Sequence, residues 1–184
     1  TVCAYSGNKG AYAEMAVQRY FEEASSAVPV NSFEEIFQAV VDGKADYGMV
    51  PIENSTAGSV YDNYDNLSRY QDVSIVGAIN LRIEHSLLAP KGATLNSIKN
   101  VYTHLQASSQ SSEFLSQFKN WKIIESVSTA TGAAIVAEKN SIENAAIANA
   151  VNAGIYGLEI IKEGIENIHN NYTRFVVIKA NHVE

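Results

Sequence analysis

Near the end of the chain, in the string NNYTRFVVI, Thr173, Arg174 and Phe175 place a hydroxyl, a guanidinium and an aromatic ring at the mouth of a strand. A strand needs only Val and Ile there. A hydroxyl is a hydrogen-bond donor and acceptor, and a guanidinium can fork onto a carboxylate. Taken alone, the three residues read as an edge-strand Thr, an exposed Arg and a core Phe. A second string, PIENSTAGSV over residues 51–60, makes that reading less adequate. There Glu53 and Asn54 follow an apolar run where a turn requires neither, and Gly58 permits close backbone approach.

Four segments share one design, a strand end followed by small or hydroxyl residues and then a helix: SGNKG, ENSTAGS, THLQASSQ and SVSTATG. The free N–H groups and positive dipole end of a helix's first turn favour a carboxylate, so several such termini can grip a dianion with few Lys or Arg. Any one of them alone is explained as well by N-capping. His104 and His85, each a lone histidine beside an apolar run, read first as hydrogen-bonded structural residues.

The elements that must carry these residues follow from periodicity. Short apolar runs alternate with helical patterns, which predicts an α/β fold with mainly parallel sheets. Strands are expected at 2–5, 47–52, from 74 through IVGAINLRI, and at 101–102, 121–124, 145–148, 158–161 and 174–178. Helices are expected at 11–21, 33–42, 60–67, 108–118, 131–138 and 149–156. Ser32 with Glu35 forms a capping box, and Gly43 stops the helix that it opens. With no linker or repeat in view, two small lobes require ordered crossings, placed near 79–85 and 164–171. Lobe one is then about 1–80 plus 171–184 and lobe two about 81–170. A cleft between lobes is a usual ligand site.

Thirteen Lys and Arg against twenty Asp and Glu give a net charge of −7, without a basic run. Nucleic acid is therefore not expected as a partner. Cys3 is the only cysteine, which rules out an intrachain disulfide and fits a reducing cytoplasm. No apolar stretch reaches the length of a membrane span, and no signal-peptide pattern opens the chain. Its first and last residues lie close to strand-like runs, so we expect a domain of a longer polypeptide.

Together these motifs resemble the prephenate dehydratase family, over nearly the whole chain from Tyr5 to Ile178. ENSTAGSV matches P-I-E-N-S-x-x-G-x-V at each defined position. VYTHLQASSQ is similar to the family's S-H-P-Q segment, with Thr103 for Ser and Leu105 for Pro, and keeps His104, Gln106 and Gln110. SVSTATGAA resembles a family helix start with Ser128 and Thr129 facing ligand, and IEHSLLA matches H-x-L-L. The closing N-x-T-R-F is intact as Asn171 to Phe175, while Asn167 and His169 replace a common Asp and Pro.

The resemblance implies the decarboxylating dehydration of prephenate to phenylpyruvate, CO2 and water in phenylalanine biosynthesis, with no metal or organic cofactor. It implies Thr173, Asn54 and Gln110 as catalytic residues. Ser55, Thr103, His104, Ser128, Thr129, Arg174 and Asn171 are implied as substrate-binding, with Arg174 either pairing a carboxylate or tying its strand to a neighbour. It also implies two lobes like those of type 2 periplasmic binding proteins, and dimers or larger assemblies. The regulatory and chorismate mutase domains common in the family have no room in 184 residues, so the chain's activity is expected to be insensitive to phenylalanine. Arogenate is an alternative substrate. A non-catalytic solute-binding protein or a ligand-sensing domain would look similar, but neither accounts for both ENSTAG and NYTRF.

Overall fold

A computed structural model describes residues 1–7, 9–22 and 25–181. The chain divides into two compact units, Thr1–Arg82 with Asn171–Glu184 and Ile83–Asn170.

The first unit is built on a six-stranded sheet. It contains β1 (Val2–Ser6), β2 (Ser26–Val30), β3 (Tyr47–Asn54), β4 (Gly58–Ser59), β5 (Val73–Arg82) and, returning from the second unit, a strand over Tyr172–Ala180, numbered β11 in chain order. The order is β2-β1-β3-β11-β5, with β4 paired to β3. Three helices accompany it, α1 (Tyr12–Phe21), α2 (Phe33–Val41) and α3 (Tyr61–Arg69). Side chains alternate along β11, so its two faces enter two cores. Phe175 and Val177 pack with Met49, Leu81 and the Ala13, Ala16 and Val17 face of α1. Val176 and Ile178 pack with Ile36, Phe37 and Val40 of α2. Burying an aliphatic side chain of this kind is worth about 1.5–3 kcal/mol. The sheet therefore anchors Thr173 on a strand fixed from both sides.

At the start of α2, Ser32 accepts from the Glu35 N–H as expected, but the Glu35 carboxylate reaches the Asn31 N–H, one residue before the cap. Gly43 ends the turn at φ 74°.

The second unit holds a five-stranded sheet of β6 (Ser86–Ala89), β7 (Asn100–Thr103), β8 (Lys122–Glu125), β9 (Asn144–Ala148) and β10 (Glu159–Lys162), in the order β10-β6-β9-β7-β8. Its helices are α4 (Leu105–Gln110), α5 (Ser112–Leu115), α6 (Thr129–Lys139) and α7 (Val151–Tyr156). Gly132 lets α6 lie against β7, since a Cβ there would stand 2.7 Å from the Tyr102 carbonyl oxygen.

The fold class is α/β, but the sheets are mixed rather than mainly parallel. The βα-connected strands pair in parallel, β1 with β2 and β3, and β7 with β8 and β9. The pairs β11 with β3 and β5, and β6 with β9 and β10, are antiparallel. Of these strands β5, β6 and β11 adjoin the points where the chain leaves one unit for the other, and local periodicity carries no direction. The single helix expected at 108–118 is instead two short ones meeting at Ser111. SAVPV, unassigned in the sequence, is strand β2, and its Pro29 is tolerated because β2 lies at the sheet edge.

Candidate functional site

ENSTAG is not a strand-to-helix junction. It is the tight connection from β3 to β4, and α3 begins only after β4. Asn54 makes that turn: its Oδ1 accepts from the Thr56 N–H at 3.0 Å, the Ala57 N–H at 2.9 Å and the Thr56 hydroxyl at 2.8 Å. The expectation that the turn did not require Asn54 is corrected, because Asx side chains stabilise turns by this means. Gly58 supplies φ 88°, and nothing stands within 4 Å of a Cβ built there, so its role is conformational and not close approach.

With Oδ1 committed to backbone donors, the amide orientation of Asn54 is determined. Its Nδ2 donates to Thr173 Oγ1 at 2.9 Å. The Thr173 hydroxyl, half-buried, thus accepts from Asn54, and its own proton has no partner among the described residues. Nothing in this contact removes a proton from Thr173, so the arrangement suits a directed donor and not a nucleophile.

A one-residue bulge creates the pairing. Phe175 lies opposite Pro51 and Arg174 opposite Glu53, so Ile52 is extra in β3. Side chains alternate with period 2, and one extra residue inverts the parity beyond it. Asn54 is thereby placed on the same face as Thr173, Pro51 and Met49. The same alternation puts Arg174 on the opposite face from Thr173, exposed and cross-strand from Glu53.

Ser55 and Asn171 latch the turn to β11. Ser55 donates its N–H to the Tyr172 carbonyl and its hydroxyl to Asn171 Oδ1, and accepts from the Tyr172 N–H. Asn171 is 5% exposed. Both were expected to bind substrate; in the structure the Ser55 hydroxyl and the Asn171 side-chain oxygen hold the turn. Of the SGNKG segment, Asn8 lies outside the described residues, and Gly10 donates its N–H to the buried Glu14 carboxylate, which also accepts from Tyr5 Oη.

In the second unit the expected residues divide similarly. Thr103 is fully buried and its hydroxyl donates to the Ile147 carbonyl, tying β7 to β9. Its hydroxyl is thus committed to the sheet, whereas the family resemblance had it facing substrate. His104 caps α4 by accepting from the Gln106 N–H at Nδ1, so its neutral form carries the proton on Nε2. Ser128 caps α6 through the Thr131 N–H, and Thr129 is the half-buried first residue of that helix. Gln110, half-buried at the end of α4, has Oε1 2.6 Å from Nε2 of His85. Its amino group has no partner among the described residues.

A polar cavity of about 570 Å³ opens in the first unit, between the start of α2 and α3. Ser32, Glu34, Asp62, Asp65 and Arg69 are among its lining, but none of the expected site residues is. Among the described residues that line it, Arg69 is the only cation, and it is engaged by Glu34 at 3.5 Å and Asn66 at 2.6 Å, which leaves an acidic wall unsuited to a dianion.

The sequence profile of the family described as prephenate dehydratase matches residues 3–183. The chain belongs to the prephenate dehydratase family. It is 37% identical over 182 residues to the bifunctional chorismate mutase/prephenate dehydratase of Escherichia coli K12, covering 95% of this chain and 46% of that protein. It is 39% identical over 176 residues to arogenate dehydratase/prephenate dehydratase 6 of Arabidopsis thaliana, covering 95% and 42%. The chain thus spans less than half the length of these curated relatives. Among solved structures it superimposes along its whole length on the Staphylococcus aureus prephenate dehydratase, with 32% identity, a TM-score of 0.86 and 67% of that chain covered. A structure described as a quorum quenching acylase, GqqA, is also similar, at 30% identity and TM-score 0.89 with 66% covered.

In this prephenate dehydratase family member, three further residues hold the region around Gln110. His85, read as structural, is buried with its Nε2 2.6 Å from Gln110 Oε1. Asn167, noted only as replacing a common Asp, donates its N–H to the Gln110 carbonyl and bridges the ends of α4 and α5. Its Oδ1 accepts from the Glu113 N–H, and its Nδ2 donates to the Ser109 carbonyl. An Asp could not make the second contact. Glu166, 5% exposed, accepts from the His85 N–H and stands 3.3 Å from His169. Only H-x-L-L and the N-I-H variation marked these positions in the sequence.

Proposed function

We propose that the chain is the catalytic domain of a prephenate dehydratase, converting prephenate to phenylpyruvate, CO2 and water on the route to phenylalanine. Asn54 donating to Thr173 while its carbonyl is held by the turn is the observation that carries this reading. In prephenate the ring carboxylate leaves as CO2, its C–C bond electrons pass into the ring, and the hydroxyl on the opposite ring carbon departs with its electron pair. Aromaticity supplies the drive. A hydroxide is a poor leaving group, so what the protein must add is a hydrogen bond to that oxygen as charge develops. Thr173 is that donor and keeps its own proton; the departing hydroxide takes a proton from solvent and leaves as water. Asn54 supports the pair by donating to Thr173 Oγ1, which orients the hydroxyl and makes it a better donor.

Gln110 is proposed to orient substrate through its amino group. His104, Ser128 and Thr129 remain candidates for carboxylate recognition. Thr103, Ser55 and Asn171 are given scaffold roles. Arg174, on the face opposite Thr173, is assigned to its strand and not to the reacting atoms. Incubating the purified chain with prephenate and reading phenylpyruvate absorbance in alkali tests the reading. Product is expected; tight binding of an organic acid without product would sink it. Arogenate run in parallel separates the two substrates, since only its product carries an amine.

A further inference from the structure

We infer that His85 is a positioning residue that fixes the orientation of the Gln110 carboxamide by donating from Nε2 to Gln110 Oε1. This rests on the role just proposed for Gln110. Three observations support it. The contact is 2.6 Å long, between a side chain 3% exposed and one that is half-buried. The backbone of His85 is held at both ends, its N–H by the Glu166 carboxylate at 3.1 Å and its carbonyl by the Ile165 N–H at 3.0 Å. The carbonyl of Gln110 is held in turn by the Asn167 N–H at 2.6 Å.

Gln110 is therefore fixed at its backbone and at one end of its amide. A glutamine amide has two orientations of nearly equal shape, and only its hydrogen bonds distinguish them. With an Nε2–H donor facing it, the oxygen turns inward and the amino group outward, ready to donate to an anionic substrate. With the other tautomer the amide would reverse and present a carbonyl, which repels a carboxylate. Burial pushes the His85 pKa down, against smaller upward effects of Gln110 and Glu166, so the ring stays neutral and the tautomer is what matters.

The test is a double-mutant cycle in kcat/KM with prephenate, using His85→Leu and Gln110→Ala, together with His85→Gln, whose amide nitrogen can replace Nε2. His85→Leu is expected to lose about 10- to 100-fold in the wild-type background and little more in the Gln110→Ala background, with His85→Gln restoring most of the loss. Additive losses, or a folded His85→Gln no better than His85→Leu, would overturn the role. If His85→Leu does not fold, nitrogen-detected NMR of the wild-type imidazole decides: a proton on Nε2 supports the inference and a proton on Nδ1 overturns it. A wild-type chain that leaves prephenate unchanged overturns the functional reading, and this role with it, whereas activity with an Nδ1 proton overturns the role alone.

Discussion

The two units solve the same problem by different means. In the first, a neutral amide and a neutral hydroxyl are aligned by strand register, with Asn54 and Thr173 cross-strand partners in a sheet whose two faces are both packed. In the second, Gln110 sits at the end of a six-residue helix and is oriented by a titratable ring, with the buried Glu166 behind it. Backbone pairing makes the first arrangement indifferent to pH. The second depends on keeping a histidine neutral where water does not reach it. Chemistry that needs a donor of fixed direction is better built on the sheet, and recognition that needs an adjustable one can be left to a helix end.

Removing the donor from the register-built pair is the largest break. Thr173→Ala is expected to cut kcat about 10²- to 10³-fold, while Thr173→Ser stays within about tenfold. If Thr173→Ala stays near wild type and His104→Ala is dead, the donor is His104. Next comes Asn54→Asp, which keeps the turn-holding oxygen but loses the amide donor, so that the Thr173 proton turns toward the new carboxylate. A loss of about 10²-fold in kcat with thermal stability nearly unchanged would separate orientation from folding. Equal collapse of both would show that Asn54 matters only to the turn.

Proton linkage tests the second arrangement. Folding lowers the His85 pKa from its ordinary value of 6.5, so the unfolded chain binds more protons as acid is added. Stability should therefore fall as pH drops through about 6.5 toward the lower folded value and level off beneath it. The slope from this group is at most about 1.4 kcal/mol per pH unit. Thermal melts of wild type and His85→Gln between pH 7.5 and 5 read this, and parallel curves would remove His85 as the cause. The smallest effect is expected for Arg174→Gln, less than about tenfold in kcat/KM, because its strand parity turns it from Thr173. A loss matching that of Thr173→Ala would show that the guanidinium reaches the reacting atoms.

Much of this was legible in residue types. Ser32 with Glu35 announced α2, and the apolar run after Thr173 announced β11, because capping and alternation are local. ENSTAG and TRF marked the chemistry but not its geometry. Strand direction is set by where the chain comes from, so the antiparallel return of β11 could not be read from FVVI. The break at Ser111 depends on Asn167, more than fifty residues away, bridging two helix ends. The match of His85 to Gln110 is likewise a tertiary fact.

The extra residue at Ile52 has a consequence for anyone moving this chemistry elsewhere. Grafting PIEN and TRF onto a regular antiparallel pair would reproduce every side chain and yet deliver the amide and the hydroxyl to opposite sides of the ribbon. What has to be transplanted is a count as well as a set of residues, with one strand a residue longer than its partner over the same span. Length polymorphism in β3 should therefore be tolerated less well than substitution at Ile52, whose contribution to geometry does not depend on its side chain.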